Sequence, residues 1–256
     1  MRDPFVPRVG GVMSADIAVP EHEREVRFYS RVLTTGERPL WREDLMNSSG
    51  MPVVGLGPRS AEYDHLPLQW MPHIQVADVA TSARRALELG GVELMLDGSG
   101  QWAVLLDPNG AAFGIIPVVP ADAIPASDDA AGSTGHIAGI ELTVPDAAAA
   151  RGFYREVVGW SVRDVPVEPA GESHTDFEML GGDGKPAAHL RHARGSHSGL
   201  PTVWLLQLPV ADLAESLRRV RVEGGEVVQE LEGAGGEPIR AVIQDPVGAT
   251  LALIAG

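Results

Sequence analysis

VADVATSARRALELGG, from Val76 to Gly91, and VADLAES, from Val210, are two copies of one phrase, and their reading decides the fold. In the first copy Asp78 stands where a helix N-cap belongs. Val79, Ala83, Ala86, Leu87 and Gly90 follow at helical spacing, and the glycine pair supplies a stop. Asp212, Leu213, Leu217, Val220 and Gly224 repeat the arrangement 134 residues later. Upstream, Phe28-Tyr29 recurs as Phe153-Tyr154 at a shift of 125; downstream, DPNG from Asp107 recurs as DPVG from Asp245 at a shift of 138. Shifts that grow in one direction mark a duplication whose second copy carries longer loops between fixed elements.

Each half divides again. An earlier helix carries Val26, Tyr29 and Leu33 on one apolar face, matched by Ala150, Phe153, Tyr154 and Val157. Short runs with strand character flank every helix, and the DPNG and DPVG sequences suit type I turns, in which Asp accepts backbone hydrogen bonds and Pro presets φ. Between the copies, Pro117 to Gly135 is rich in Pro, Ala, Asp, Gly and Ser without apolar periodicity and reads as a linker. The expected architecture is an α+β chain of four modules, each a strand, a helix and about three short strands.

A length of 256 residues suffices for two ordinary cores. The absence of cysteine excludes disulfides and thiolate chemistry. A net charge of -15 with scattered acidic residues lacks the basic footprint of a nucleic-acid binder. The opening MRDPFVPRVGGVMSADIAVP has no apolar core of signal-peptide length, and no later run approaches a membrane span, so a cytoplasmic location without membrane partners is expected.

A βαβββ module used in pairs resembles the vicinal oxygen chelate superfamily of glyoxalases, extradiol dioxygenases and bleomycin-resistance proteins. The carriers are IELTVPDAAAARGFYREVVGW from Ile140, WMPHIQVADVATSARRALELGG from Trp70, and the closing DPNGAAFGIIP and DPVGATLALIA. The Phe-Tyr helix, the Gly159-Trp160 ending and the Trp70 strand are most similar to hydroxylase-like two-domain proteins of actinomycetes. The resemblance implies tandem domains at 1–118 and 137–256 joined by a linker at 119–136, with cup-shaped mixed sheets and helices on their outer faces. It leaves open how the four modules pair, and whether the protein is a monomer or a homodimer.

Strand alternation separates the side facing the helix from the concave side. Ile140, Leu142 and Val144 form the helix-facing row of one strand, leaving Gly139, Glu141 and Thr143 for the cup; the matching cup row is Ser14, Asp16 and Ala18. After Trp70, Met71, His73 and Gln75 face the cup, with Leu205 and Gln207 as counterparts after Trp204. The closing strands add Ala112, Gly114, Thr250 and Ala252. Trp70 and Trp204 are placed to cap the cup or pack its rim, and Tyr29 and Tyr154 to pack in the core.

Family enzymes hold a divalent ion on these rows with three or four His, Glu or Gln ligands. The corresponding positions here are Ser14, Met71 and Gly114 in one half and Gly139, Leu205 and Ala252 in the other, which supply no such set. No metal and no cofactor is therefore expected. His189, His192 and His197 lie close in HLRHARGSH but read as a strand end running into a polar loop, since the cluster contains no acidic ligand; His136 and His174 read as ordinary loop or strand-edge residues.

A mostly apolar cup lined by small residues suits a bulky aromatic or polycyclic metabolite. The expectation is a metal-independent enzyme of secondary metabolism catalysing proton transfer, rearrangement or ring closure. Its acids and bases are Asp16 and Glu141, with carboxyl pKa values raised by apolar neighbours, and His73. Ser14, Trp70, Met71, Gln75, Gly114, Gly139, Thr143, His189, Trp204, Gln207 and Ala252 are the expected ligand contacts. The alternatives are a resistance protein that sequesters a drug unchanged and a metal-dependent glyoxalase- or dioxygenase-like enzyme. A protein-interaction scaffold is the last, and would have no small-molecule affinity.

Overall fold

The computed structural model describes residues 7–256 apart from 38, 40, 42–44, 47–49, 51, 124–134 and 168–172. Most of the expected linker thus lies outside the described residues.

The elements follow the four-module reading: β1 (Val12–Val19), α1 (His22–Val32), β2 (Val54–Pro58); β3 (Met71–Val76), α2 (Val79–Glu88), β4 (Val92–Leu96), β5 (Ala103–Leu106), β6 (Ala112–Pro117); β7 (Gly139–Val144), α3 (Ala147–Val158), β8 (Ser161–Val167), β9 (His174–Leu180), β10 (Pro186–His192); β11 (Trp204–Val210), α4 (Leu213–Val222), β12 (Glu226–Glu232), β13 (Pro238–Gln244) and β14 (Thr250–Ala255). The first module departs from the pattern. Among the described residues it has one strand after its helix, plus an isolated antiparallel bridge between Met46 and Pro52. Two mixed sheets result, in the orders β2-β1-β3-β6-β5-β4 and β12-β13-β14-β11-β7-β10-β9-β8.

The helix starts are those expected. Asp78 accepts from the Thr81 N–H at 2.7 Å, Asp146 from Ala149 at 2.9 Å and Asp212 from Glu215 at 2.9 Å, each satisfying an orphan donor of the first turn. Leu87, expected on the apolar face of α2, is exposed.

The chain forms two compact units. One comprises Met1–Met13, Met71–Ile124 and Gly139–Trp204. In it α2 packs on α3, and Tyr154 of α3 is fully buried among Phe113, Phe153, Trp160 and Trp204, with ring centroids 5.1–5.6 Å from its own. Its hydroxyl donates to Asp107 Oδ2 at 3.1 Å and accepts from Trp204 Nε1 at 3.0 Å. The other oxygen of Asp107 takes the N–H groups of Asn109 and Ala111 at 2.8 and 2.9 Å, closing the β5–β6 turn, where Gly110 supplies a φ of 84°.

The other unit comprises Ser14–Trp70, Pro125–Ala138 and Leu205–Gly256. There α1 packs on α4, and Tyr29 repeats the arrangement: its hydroxyl donates to Asp245 Oδ2 at 2.8 Å and accepts from Trp70 Nε1 at 3.2 Å, while Asp245 Oδ1 closes the β13–β14 turn through Val247 and Ala249. Burial, reinforced by the adjacent carboxylate, pushes both phenols well above the ordinary tyrosine pKa, so each remains a donor. Trp70 and Trp204 therefore belong to the core, correcting their expected place at the cup: each is fully buried with its indole N–H committed to a tyrosine.

The apolar stripe of α1 also differs from expectation. Glu25, Phe28, Tyr29 and Val32 are the buried residues, and Val26 is only half-buried. Both carboxyl oxygens of Glu25 are buried, and burial together with the neighbouring Asp245, to which it hydrogen-bonds, pushes its pKa up to about 8. At the shift that maps Phe28 onto Phe153, the other copy has Ala150.

Two outcomes follow for stability. Tyr154→Phe strands the Trp204 N–H and leaves Asp107 Oδ2 only the Asn109 amide at 3.4 Å, so urea unfolding should show a loss of about 1–3 kcal/mol. The folded chain retains a proton on Glu25 that the unfolded chain releases between about pH 4.5 and 8, so this group lowers stability as pH rises through that window. Glu25→Gln should flatten that part of the pH profile and raise the urea midpoint at pH 8 above wild type; an unchanged slope would remove Glu25 as its source.

Candidate functional site

The functional face is set by the register of β7, β10 and β9. Arg151 of α3 lies 4.6 Å over the Phe177 ring, so Phe177 faces the helix; Leu190 pairs with Phe177 and Leu142 with Leu190, which puts all three on that side. Alternation then turns Glu141, Thr143, His189, Arg191, Asp176 and Glu178 to the opposite face. Glu141 and Thr143 are two of the residues expected to line a cup, and the same face extends across two further strands.

Here the chain builds a buried polar array. Arg191 Nε donates to Glu141 Oε2 at 2.6 Å, and Arg191 Nη1 lies 3.7 Å from Asp176 Oδ2. Asp176 Oδ1 accepts the backbone N–H of His192 at 2.9 Å, and lies 3.2 Å from His192 Nδ1 and 3.6 Å from His174 Nε2. Glu141, Thr143 and Asp176 are 1–2% exposed, and the Thr143 hydroxyl is buried without a hydrogen-bond partner. Glu141 thus meets a guanidinium where apolar neighbours were expected.

Other expected residues are placed as follows. On β1, Ser14, Asp16 and Ala18 form the less buried row, opposite buried Ala15, Ile17 and Val19. His73 pairs with Gly114, where a Cβ would come within 2.7 Å of the imidazole; glycine there makes room for the ring. Gln75, expected to contact ligand, is fully buried with its amide engaged by backbone: Oε1 accepts from Val119 N at 3.0 Å and Nε2 reaches Gly11 O at 3.4 Å. Met71 is buried on β3, Gly139 opens β7, and Gln207 pairs with Ala252. His189 pairs with Glu141 on one side and Glu178 on the other.

Asp16 belongs to one compact unit and His73 and Glu141 to the other, whereas Glu141, Thr143 and His189 share the array. The residues missed in the sequence are His174, Asp176 and Arg191. Alternation in HTDFEML would have put His174 and Asp176 on one face; bringing Arg191 to that face required the β9–β10 register, and His192 reaches Asp176 from the end of β10.

The family-type metal positions offer a hydroxyl, a thioether and no side-chain donor at Ser14, Met71 and Gly114, and apolar or absent side chains at Gly139, Leu205 and Ala252. A borderline divalent ion needs several nitrogen or oxygen ligands, so these residues do not fit the family's metal.

The Glu141–Arg191 pair should behave as a buried ion pair. Arg191→Met alone removes the guanidinium from buried Glu141 and Asp176, at a cost of about 3 kcal/mol in urea unfolding, while the double substitution Glu141→Leu/Arg191→Met should recover part of that loss.

Residues 134–253 match the Glyoxalase/Bleomycin resistance protein/Dioxygenase superfamily, and residues 13–116 match a Glyoxalase-like domain. The anthracycline biosynthesis protein DauV of Streptomyces sp. strain C5 is 28% identical over 194 residues, covering 74% of this chain and 66% of DauV. The anthracycline biosynthesis protein DnrV of Streptomyces peucetius is 30% identical over 131 residues, 46% of each chain. The chain thus spans less than two thirds of the length of either relative. Among solved structures, the 2,3-dioxygenase LapB from Pseudomonas sp. KL28 superposes with a TM-score of 0.56 over 98% of this chain and 94% of its own, at 12% identity, a likeness of fold alone. No helix among the described residues is long and apolar enough to cross a membrane. Two matched halves, two mixed sheets and four βαβ-type modules make this chain a member of the vicinal oxygen chelate (glyoxalase/bleomycin resistance/dioxygenase) superfamily, on its actinomycete branch.

Proposed function

We propose that this chain binds a bulky aromatic or polycyclic metabolite and acts on it as an enzyme of secondary metabolism. The reaction is proton transfer, rearrangement or ring closure, with the chain's own side chains supplying the chemistry. The observation that carries the reading is the buried Glu141–Arg191 pair beside the unpartnered Thr143 hydroxyl. An ionised carboxylate in a dry setting is a base for an acidic C–H or phenol, and a guanidinium beside it can take the oxyanion that forms when that proton leaves. Thr143 supplies a donor or acceptor to a substrate oxygen.

Two relatives described as anthracycline biosynthesis proteins support a polycyclic ligand. Asp16 and His73 are separate proposed acid–base groups of the first copy, residues 1–118, which the linker 119–136 joins to the second copy, 137–256. Sequestration without turnover is the second reading, favoured by the same absence of family-type metal ligands.

The test is titration with an anthracycline aglycone, followed by fluorescence, with product analysis by mass spectrometry. Wild type should bind and convert the probe or a close precursor. Glu141→Gln should hold the dissociation constant within a few-fold and lose turnover by about 100-fold or more. Binding with the compound returned intact by wild type would favour sequestration, and absence of binding across polycyclic aglycones would overturn the ligand class.

A further inference from the structure

His174 and Asp176 alternate on β9, and His192 ends the paired strand β10, so three metal-competent side chains from a hairpin meet at one place. Their donor atoms all lie within 4.8 Å of one another. Asp176 Oδ1 is 3.2 Å from His192 Nδ1 and 3.6 Å from His174 Nε2. An ion bound at about 2.0–2.2 Å from each ligand holds neighbouring tetrahedral donors about 3.3–3.5 Å apart, which these spans match.

A second observation is independent of spacing. His174 Nε2 and Asp176 Oδ2 are buried atoms without a hydrogen-bond partner, on side chains 9% and 2% exposed. Buried polar atoms in native structures normally have a partner, and the His174 Nε2 orphan, 3.6 Å from Asp176 Oδ1, calls for one. Asp176 supplies the anionic ligand that a divalent ion takes beside two imidazoles.

We propose that His174, Asp176 and His192 bind a borderline divalent cation of the Zn2+, Co2+ or Ni2+ class. Two imidazoles with one carboxylate favour these ions over Ca2+ or Mg2+, which prefer all-oxygen sets. Three protein ligands leave at least one coordination position for water or a ligand oxygen. The site is distinct from the family-type positions Gly139, Leu205 and Ala252, and the acid–base chemistry assigned to Glu141 does not pass through it.

The experiment uses the full chain freed of metal with a chelator, then titrated with Zn2+ by calorimetry and with Co2+ by visible absorption. One equivalent should bind with a dissociation constant of about 10 µM or tighter, Co2+ should develop a ligand-field spectrum, and Zn2+ should raise the thermal midpoint. His174→Asn should weaken binding by about 100-fold or more and abolish the Zn2+ shift, with its circular dichroism in chelator unchanged. Asp176→Asn should do the same, although Asp176 also holds the His192 N–H, so His174→Asn decides if that variant is poorly folded. His189→Asn and His197→Asn should bind as wild type. The proposal is overturned if wild type binds neither ion stoichiometrically, if His174→Asn retains wild-type affinity, or if His197→Asn alone removes binding. No readout involves turnover of an organic ligand, so failure here and failure of the proposed function are separable.

Discussion

A tyrosine hydroxyl, buried and satisfied on both sides, is the interaction on which the fold turns. In each compact unit the phenol donates to the aspartate of a DPxG turn and accepts from a tryptophan N–H, and the aspartate uses its other oxygen to close the turn itself. Removing any member leaves a buried polar atom without a partner, so the Phe-Tyr helix, the Trp strand and the DPxG turn have to occur together. The connection is also reciprocal. Tyr29 of the first copy meets Asp245 of the second, and Tyr154 of the second meets Asp107 of the first. Within each unit a helix from one copy is therefore fastened to a turn from the other.

The two copies have diverged around this shared relay. Glu25 adds a third acidic group beside Tyr29 and Asp245, where the other copy has Ala150 next to Tyr154. An acid forced to keep its proton near neutral pH is a stability cost, and it adds a pH-sensitive group to one unit that the other copy lacks at the matching position. On the strands the imbalance runs the other way. Arg191, Asp176, His174 and His192 gather around Glu141, whereas the corresponding strands after α1 include residues outside those described.

Much of this was legible in the sequence because it is local. Asp78 and Asp212 were recognisable as caps from their own helices, the DPxG turns from four residues each, and the helix-facing rows of β1 and β7 from a period of two. What was not legible depends on partners far along the chain. Trp70 and Trp204 sit at strand starts where a rim position is equally compatible with the pattern, and only the distant tyrosine hydroxyls draw them inward. Glu25 interrupts an apolar stripe that reads more cleanly through Val26, because nothing local announces Asp245. His192 looked like the second histidine of a loop cluster without an acid; the acid was 16 residues upstream, on the other strand of the hairpin.

The position of Arg191 links the proposed chemistry to the polar array. It is held at 2.6 Å by Glu141 and stands 3.7 Å from Asp176, so its guanidinium is shared between two buried carboxylates. Anything that neutralises Asp176 strengthens the claim of Glu141 on Arg191, and anything that draws Arg191 toward a ligand oxyanion leaves Glu141 more basic. Base strength at Glu141 and charge at Asp176 are therefore coupled through one side chain. A cation held by His174, Asp176 and His192 would act on that coupling from one end, and an acidic ligand oxygen at Arg191 from the other.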